Sequence, residues 1–358
     1  MSFTLGKNIT MTVEGASHSE YIEVRLEGLL KDHRIDMDKV RELLKRRQGG
    51  NSFYSTPRKE ADEPIIISGL KDNVLTGDPL VARFLNSNVK KKDYDNMKVI
   101  PRPSHADYVA YEKYHGKLDM SGGGFFSGRM TLPMCFAGAV CMQLLNERGI
   151  RIGAHIANVG NITDCKYDPV SDELEGNNEA AQLPVLNEEA SEKMLELMKS
   201  VAMDGDSIGG SIECKVVGVP VGLGDPIYDS LESRISYGMF DIPAIKGIEF
   251  GQGFGVANAY GSQSNDFFCI REGKVRCVTN NSGGIQGGIS NGMPLIFRVA
   301  VKPTPSIFKE QRSVDLQEMK ETVLKIEGRH DSCIVPRVVP CVEAMCALIL
   351  WDVFSEEM

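Results

Sequence analysis

The sequence predicts a fold that combines helices with strands and buries its most apolar helices between sheets. Two segments, residues 132–145 and 339–353, are apolar on almost every side of a helix. A helix of this kind needs cover on all sides, and packed sheets provide it. Runs that alternate apolar and polar residues, at 11–13 and 21–26, predict strands of those sheets.

The remaining elements follow from helical periodicity and from apolar runs. A helix is expected to begin after Asp36, which suits the N-cap, and to end at Arg47. A second amphipathic helix is expected over 187–203, where an acidic first turn suits the helix dipole. The polar stretch 46–64, rich in Gly and Pro, predicts a long loop, and loops of this length are commonly functional. Further strands are expected at residues 212–219, 248–250 and 295–301.

The composition is that of a globular protein. Of 358 residues, 42 % are hydrophobic and 25 % charged. No composition shift or Pro/Ser linker divides the chain, so one domain over 1–358 is the simplest interpretation. Acidic residues outnumber Lys plus Arg by 49 to 40, which gives a net charge of −9 and argues against a general binder of nucleic acid or anionic membranes. Any anionic ligand must therefore be held by a local cluster of positive residues.

The cysteines and the chain start indicate a compartment. The nine cysteines include no C-x-x-C pair, and several lie in apolar runs, which favours buried free thiols over a disulfide framework. The first twenty residues lack the pattern of a signal peptide. We also expect no apolar run to approach the ~20 residues that a membrane-spanning helix needs. The sequence therefore predicts a soluble, cytoplasmic protein.

The residues suited to chemistry lie in separated loops rich in Gly, Ser, Asn and Arg. SGGGFFSG at 121–128 lacks the phosphate-binding G-x-x-x-x-G-K-[ST] pattern, and GQGFG at 251–255 has the wrong spacing for a dinucleotide fingerprint. Exposed backbone N–H groups and guanidinium groups remain, and a phosphorylated, carboxylated ligand requires both. The loops are residues 46–52, 102–108, 119–131, 280–290, 302–306 and 328–331.

Two of the six histidines are candidates for acid–base chemistry. His18 lies in GASHS just after a predicted strand, and His105 lies in RPSHADY. Taken alone, either is more often a hydrogen-bonded or surface histidine. Neither has a second histidine at metal-ligand spacing, so no metal site is expected. The residues by themselves predict an anion-binding protein with two candidate acid–base histidines.

Taken together and in this order, the segments resemble the chorismate synthase family from near the N-terminus to about Asp352. GASHS is similar to the family's G-E-S-H-G, and RPSHADY to its R-P-G-H-A-D-Y. Each motif alone is weak, but six in register over nearly the whole chain are specific. The other four matches are DSIGGSIECKVVGVPVGLGDPIYD at 206–229, NNSGGIQGGISNGMPL at 280–295, VKPTPSI at 301–307 and GRHDSCIVPRVVPCVEAM at 328–345.

The resemblance implies an α+β fold, internally duplicated, with core helices sandwiched between two antiparallel sheets. It implies a carbon–oxygen lyase of the shikimate pathway, which serves aromatic amino acid biosynthesis. The reaction is a 1,4-elimination of phosphate from 5-enolpyruvylshikimate 3-phosphate that gives chorismate. Reduced FMN (FMNH2) is required without net redox change. The implied partners are the small-molecule substrate, a flavin reductase or other source of reduced FMN, and further copies of the chain in a homotetramer.

The resemblance also assigns roles residue by residue. His18 would protonate the departing phosphate, His105 would face the reduced flavin, and Asp331 would assist the flavin N5 in accepting the ring proton. The implied substrate contacts are Arg47, Arg102, Ser127, Arg129 and Arg329. The implied FMN contacts are Phe125, Phe126, Ser127, Ala244, Gly287, Lys302, Pro303, Thr304, Pro305, Ser306 and Arg329.

Several charged residues of the family pattern are replaced here. In DMSGGGFFSGRMT, similar to D-x-R-G-G-G-R-S-S-A-R-E-T, two arginines and a glutamate are lost. Ser19 replaces the last glycine of G-E-S-H-G, and Arg58 lies close enough in sequence to substitute for an arginine lost after RRQGG. Loss of an arginine beside a buried anion is costly. The residues that replace charged ones are Ala16, Phe53, Ser121, Phe125 and Met130.

The retained acid–base residues favour an active, divergent family member. Two alternatives remain open. The first is a non-enzymatic flavin- or anion-binding protein on the same scaffold, which the losses at Phe53, Ser121 and Phe125 favour. The second is a different flavoenzyme that consumes NAD(P)H. Some family members reduce their own flavin with NADPH, but the missing dinucleotide fingerprint favours an outside source of reduced flavin here.

Overall fold

The computed structural model describes residues 2–50, 52–56, 60–87, 99–177, 180–326 and 330–356. Within these ranges, two five-stranded sheets enclose a layer of helices. Every strand pair in both sheets is antiparallel. The predicted α+β fold, with core helices sandwiched between two antiparallel sheets, is confirmed.

The first sheet comes from the N-terminal part of the chain. Its strands and an attached hairpin are β1 (Ser2–Leu5), β2 (Thr10–Gly15), β3 (Tyr21–Glu27), β4 (Ile65–Ser68), β5 (Leu70–Lys71), β6 (Val74–Leu75) and β7 (Leu80–Leu85). The sheet order is β1-β2-β3-β7-β4, and β5 pairs with β6 outside it. In β3, Ile22, Val24 and Leu26 are fully buried while their neighbours face outward, as expected of a half-buried strand.

Three helices belong to this half of the chain, one between β3 and β4 and two after β7. They are α1 (Met37–Arg47), α2 (Asp107–Tyr114) and α3 (Thr131–Glu147). The Asp36 carboxylate accepts hydrogen bonds from the N–H groups of Asp38 and Lys39, which confirms the predicted N-cap. Because α3 is apolar almost all round, it packs both on β2 and β3 and on the C-terminal helix.

The second sheet and the remaining helices come from the rest of the chain. The sheet order is β11-β16-β10-β8-β9, with three separate two-stranded hairpins. The strands are β8 (Arg151–Val159), β9 (Ile162–Thr163), β10 (Gly210–Val217), β11 (Ile245–Phe250), β12 (Phe268–Arg271), β13 (Lys274–Cys277), β14 (Ile285–Gln286), β15 (Ile289–Ser290), β16 (Leu295–Val301), β17 (Gln311–Asp315) and β18 (Lys320–Leu324). The helices are α4 (Glu188–Met203), α5 (Leu231–Phe240), α6 (Gly261–Ser264) and α7 (Val335–Phe354).

The two long apolar helices form the centre of the molecule. Helix α7 packs on β8 and β10 of the second sheet and, on its other side, on α3. The two backbones approach closely at Gly138, where an added Cβ would lie 2.4 Å from both Cα and Cβ of Ala344. Each half thus contributes a five-stranded sheet and a long core helix, the layout expected of an internal duplication.

Most predicted elements are present, with shifted ends. Strand β10 ends before Gly218, which has φ +84°, so the expected end at residue 219 is wrong. Helix α7 begins at Val335 and not at 339, because Pro336 falls in its first turn, where a missing N–H costs nothing. The buried apolar residues form one cluster that reaches from Leu5 to Val353.

One expectation about apolar segments is corrected. The segment Gly128–Glu147 spans 20 residues with a mean hydropathy of 1.2, so it is long and apolar enough to cross a membrane. In the structure 78 % of that window is buried, because α3 lies between the first sheet and α7. The segment is therefore the core helix of this fold.

Candidate active site

A cavity of about 790 Å³ lies where loops from both halves meet the N-terminal ends of α3 and α7. This volume is within the range of ~300–1,000 Å³ found for small-molecule sites. Most residues that sequence reasoning assigned to a site line this one cavity. They are Arg47, Arg102, His105, Phe125, Phe126, Ser127, Ala244, Lys302, Thr304, Pro305, Ser306 and Asp331.

The cavity is positively charged although the chain as a whole is acidic. Among its lining residues, five carry Lys or Arg side chains and two carry Asp. The positive side chains come from separate parts of the chain, and the net charge of −9 gives no hint of their convergence. This is the local cluster that an acidic protein needs to bind an anion. The five are Arg47, Arg102, Lys246, Lys302 and Arg337.

His105 is held by a buried carboxylate at the start of α2. Its Nδ1 lies 2.6 Å from Oδ1 of Asp107. The same carboxylate accepts two bonds from Arg102, from Nε to Oδ2 at 2.7 Å and from Nη2 to Oδ1 at 2.8 Å. Burial raises the pKa of the Asp107 carboxyl, but the bonds from Arg102 and His105 outweigh it and hold that pKa well below its ordinary value. Since the short bond to Asp107 requires a proton on Nδ1, Nε2 is the ring atom left for a ligand.

His18 and His105 reach the same glycine-rich loop. A Cβ on Gly122 would lie 2.0 Å from Cε1 of His18, and one on Gly123 would lie 3.7 Å from Nε2 of His105. Both glycines have positive φ, 61° and 85°, and both line the cavity. His18 is not among the residues that line the cavity; it is half-buried against Gly122, which does line it, with Nδ1 3.3 Å from Ser17 Oγ. The two predicted histidines are thus brought to consecutive residues of one loop.

Asp62 joins two of the predicted arginines. Its Oδ2 accepts from Nη2 of Arg47 at 2.8 Å and its Oδ1 accepts from Nη1 of Arg129 at 2.7 Å, with all three side chains buried. Nε of Arg47 is buried and has no hydrogen-bond partner among the described residues. Arg129 also donates to Asn86, and it lies behind the cavity wall. Arg47 therefore faces the cavity, and Arg129 supports it through the shared carboxylate.

Asp331 is oriented from two sides. Its Oδ1 accepts from Nη1 of Arg337 at 2.6 Å and from the N–H of Thr56 at 3.0 Å. Arg337 also donates from Nε to the Arg47 carbonyl at 3.0 Å, so it links α7 to the end of α1. The carboxylate thus has a fixed position on the wall of the cavity.

The turn after β16 offers polar groups to the cavity. Nζ of Lys302 donates to the Ser104 carbonyl at 2.5 Å, and Ser306 Oγ accepts from Nη1 of Arg102 at 3.1 Å. Burial and the neighbouring Lys246 lower the pKa of Lys302. A bound anion would offset this repulsion. Hydroxyl, ammonium and guanidinium donors around one turn are suited to a phosphate group.

The two phenylalanines of the glycine-rich loop are placed differently. Phe125 packs edge-on against Phe3 at 5.3 Å between ring centroids and is half-buried. Phe126 is 37 % exposed. Both line the cavity. Their rings therefore give this wall an apolar surface where the chorismate synthase pattern D-x-R-G-G-G-R-S-S-A-R-E-T has an arginine and a serine. Phe53, the third substituted position, is 55 % exposed and contacts Tyr54.

Some predicted residues are not brought to the cavity wall. Gly287 lies on an exposed turn between β14 and β15, and Pro303 is absent from the cavity lining formed by the described residues. Arg129 is buried behind the wall, as described above. Arg329 and Arg58 lie outside the described residues.

Sequence reasoning assigned no role to five charged residues of this site, among them Asp241 on the cavity wall. Arg337 lies inside the quoted segment 328–345, and Asp107 lies inside RPSHADY, so both were visible but had no assigned role. Asp62 and Lys246 lie outside every quoted motif, and no local signal marks them. Within the described residues, no group of three or more His, Cys, Asp or Glu is arranged to hold a metal ion.

Comparison with known proteins decides the family. The family model described as chorismate synthase matches residues 9–354. The chain belongs to the chorismate synthase family. The chorismate synthase of Pyrococcus abyssi is 43 % identical over 347 residues, covering 97 % of this chain and 96 % of that protein. The one of Lancefieldella parvula is 40 % identical over 365 residues, covering 98 % and 96 %.

A solved structure extends the likeness to the fold. A crystal structure of chorismate synthase matches with a TM-score of 0.78 and 28 % sequence identity, and it covers 99 % of this chain and 93 % of that one. The family and the enzyme class predicted from the sequence, a carbon–oxygen lyase acting on phosphates, are therefore confirmed.

Proposed function

We propose that this protein eliminates phosphate from 5-enolpyruvylshikimate 3-phosphate to form chorismate, with reduced FMN as cofactor and no net redox change. The observation that carries the proposal is the convergence of His105 and a positive cluster on one cavity, with His18 packed against the Gly122 backbone of its wall, in a chain of this family. The substrate carries a phosphate and two carboxylates, and the cluster supplies the cations that such a ligand requires.

The residues present fit a planar anionic cofactor. Phe125, Phe126 and Ala244 give the cavity apolar surface, and the 302–306 turn supplies donors for a phosphate. The buried, unpartnered Nε of Arg47 and the lowered pKa of Lys302 both indicate a site completed by an anion. When bound, reduced FMN supplies electron density that assists the loss of phosphate.

The protein's own groups manage charge and protons. His18, seated on Gly122, donates a proton to the departing phosphate. His105 is fixed by Asp107 through Nδ1, which leaves Nε2 as the ring atom available to a ligand in the cavity. Asp331, held by Arg337 and Thr56, takes part in removal of the ring proton. Arg47 and Arg102 neutralise the substrate's negative groups without moving, because carboxylates already orient them.

The decisive experiment is anaerobic turnover with chemically reduced FMN, following chorismate absorbance and released phosphate together. Equal, flavin-dependent formation of both products is the expected result. Binding of reduced FMN and substrate without either product would show a family member that has lost its chemistry. Oxidised FMN serves as the matched control and should give neither product.

The source of reduced flavin is proposed to lie outside this chain. The absence of a dinucleotide fingerprint from the sequence supports this. With added FMN, the purified protein should not oxidise NADPH until a flavin reductase is supplied. NADPH oxidation by the protein alone would contradict the proposal and favour a bifunctional or NAD(P)H-consuming enzyme.

We further propose a homotetramer. The β12–β13 hairpin exposes Phe268, Ile270 and Val275 by 60–70 %, and single-chain packing leaves these apolar side chains in water. The expected mass in light scattering is that of four chains. Ile270→Lys should lower it, whereas Lys274→Ala on the same hairpin should not. A monomeric wild-type protein would contradict the proposal.

The cytoplasm remains the proposed compartment. All nine cysteines are free, and seven of them are buried. Free thiols at this density suit a reducing environment. Fractionation of cells that produce the protein should recover it in the soluble cytoplasmic fraction, and recovery from membranes or medium would oppose this.

A further inference from the structure

Two cysteines meet where the core helices border the cavity. Sγ of Cys135, on α3, lies 3.7 Å from Sγ of Cys341, on α7. Their helices are held close by the contact of Gly138 with Ala344, three residues further along each helix and so nearly one turn away on the same side. A disulfide needs ~2.05 Å between its sulfurs, so a small movement of the side chains would join them.

Only one of the two thiols lies on the cavity wall, and both side chains are buried, with 0 % of Cys135 and 2 % of Cys341 exposed. Cys341 lines the wall of the 790 Å³ cavity, whereas Cys135 is fully buried behind it. Cys341 donates its S–H to the Arg337 carbonyl at 3.4 Å. A hydrogen bond from Cys135, with the positive charge of Arg47, lowers the pKa of Cys341. The thiolate is the reactive form of cysteine, so the two thiols have different roles.

We propose that Cys341 and Cys135 are a peroxide-reactive pair, in which Cys341 is oxidised first and Cys135 then resolves it to a disulfide between α3 and α7. The Cys341 thiolate attacks hydrogen peroxide; an S–O bond forms, the O–O bond breaks, and the hydroxide that leaves is protonated to water. Cys135 sulfur then attacks the sulfenic sulfur; the S–S bond forms, the S–O bond breaks, and the departing hydroxide takes the Cys135 proton. In sum, two thiols lose two electrons to one peroxide and two waters form.

The disulfide would act on the site described above. Oxidation removes the S–H bond from Cys341 to the Arg337 carbonyl, and Arg337 orients Asp331. At the other helix, Cys135 lies one turn after Thr131, whose Oγ1 accepts from Nη1 of Arg47 at 3.2 Å. The bond therefore draws together the two helix ends that carry the cavity wall. The chemistry of the thiols does not depend on the proposed lyase reaction.

The chain contains its own control pair. Cys214, on β10, lies near Cys346, on α7, and burial together with this neighbour raises the pKa of Cys214. Both thiols are fully buried. Neither lines the cavity formed by the described residues. If proximity of the two sulfurs were sufficient, peroxide would oxidise both pairs equally. If peroxide must enter through the cavity, the pair Cys135 and Cys341 should be oxidised preferentially.

The test uses the full-length protein, hydrogen peroxide as oxidant and peptide mass spectrometry without reduction. After catalase quench and alkylation in denaturant, we expect a linked peptide containing Cys135 and Cys341 that disappears with dithiothreitol. It should exceed the Cys214–Cys346 product by about tenfold or more. In Cys135→Ala, dimedone should label Cys341; in Cys341→Ala, it should not label Cys135.

Three results would overturn the proposal. They are the absence of the linked peptide, equal oxidation of the control pair, and dimedone labelling of Cys135 instead of Cys341. Circular dichroism of both alanine variants checks that they are folded. If either is unfolded, Cys135→Ser and Cys341→Ser decide by the same readout. Loss of lyase activity has no part in this readout, so failure of the proposed function leaves the test intact.

Discussion

His18 and His105 are held in different ways, and the difference predicts how each tolerates change. The ring of His105 is fixed by a buried carboxylate that also binds Arg102. His18 lies against the backbone at Gly122, with Nδ1 3.3 Å from Ser17 Oγ. Replacing Asp107 should therefore remove an electrostatic partner of His105. A side chain at position 122 should instead displace the His18 ring.

His18→Ala should lower kcat by about 100-fold or more while the fold stays intact, because a general acid is removed. Steady-state kinetics with reduced FMN measures this, and circular dichroism checks the fold. His33→Ala is the control. The Nδ1 of His33 lies 2.7 Å from Oε2 of Glu147, and neither residue lines the cavity formed by the described residues. Wild-type turnover in His18→Ala would remove His18 from the mechanism.

Asp107→Asn should lower the free energy of unfolding at pH 7 by about 3 kcal/mol, because it leaves the buried Arg102 charge without its carboxylate. The folded-state pKa of Asp107 is depressed, so its contribution is present above the unfolded value of about 3.9 and is lost as pH falls towards the folded value. Urea unfolding from pH 7 to pH 3 should show wild type and variant converging at low pH. A difference that is constant across this range would refute the linkage.

At the scale of elements, the glycine-rich loop 121–128 lies beside both His18 and His105, which belong to separate segments of the chain. Consecutive residues of this loop, Gly122 and Gly123, lie against His18 and His105. Its Phe125 and Phe126 supply apolar wall where the family pattern has polar residues. The loop can do this because positive φ at Gly122 and Gly123 turns the backbone, without side chains, towards the imidazoles.

Gly122→Ala should lower kcat by about 100-fold, because its Cβ would occupy the place of the His18 ring and displace it. Gly261→Ala on α6 is the control: nothing lies within 4 Å of its Cβ, Gly261 is not among the described residues that line the cavity, and its turnover should stay within about twofold of wild type. Kinetics and melting temperatures of both variants decide. Equal turnover in the two variants would show that the position of His18 is not set by Gly122.

At the scale of the whole molecule, one group of buried charged residues includes side chains of β8 and β10 in the second sheet. His155 is fully buried between Asp164 Oδ2 at 3.0 Å and Glu213 Oε2 at 3.1 Å. Close by, Lys215 pairs with Glu175. Burial alone would lower the pKa of His155, but bonds to both carboxylates outweigh it and raise that pKa. Folding therefore favours the protonated ring.

The stability of the protein should fall as pH rises above about 6.5, the ordinary pKa of histidine, because His155 keeps its proton when folded and loses it when unfolded. The contribution is fully present below that value and disappears as pH passes the raised folded-state pKa. Melting temperatures of wild type and His155→Gln from pH 6 to pH 9 measure this. The slope for the variant should be shallower, and parallel slopes would assign the pH dependence to other groups.

How much of the site was predictable depends on how far each residue lies from a recognisable segment. His105, Arg102 and most of the 302–306 turn lie in motifs that the sequence grouped together, and the structure places them around one cavity. Asp62 contacts Arg47 and Arg129, which lie 15 and 67 residues away in the sequence. No local sequence pattern predicts contacts over such separations. Lys246 likewise reaches the cavity only because β11 ends the sheet beside it.

The sequence by itself determined the elements, the burial of α3 and α7, the family and the candidate histidines, because these depend on local periodicity and on the order of motifs. Only the tertiary structure decided that Arg129 lies behind the wall, that Arg337 and Asp107 orient acid–base groups, and that Cys135 meets Cys341. Each of these is a contact between distant segments. Such contacts are set by how two sheets pack on shared helices, and residue type and spacing alone do not encode them.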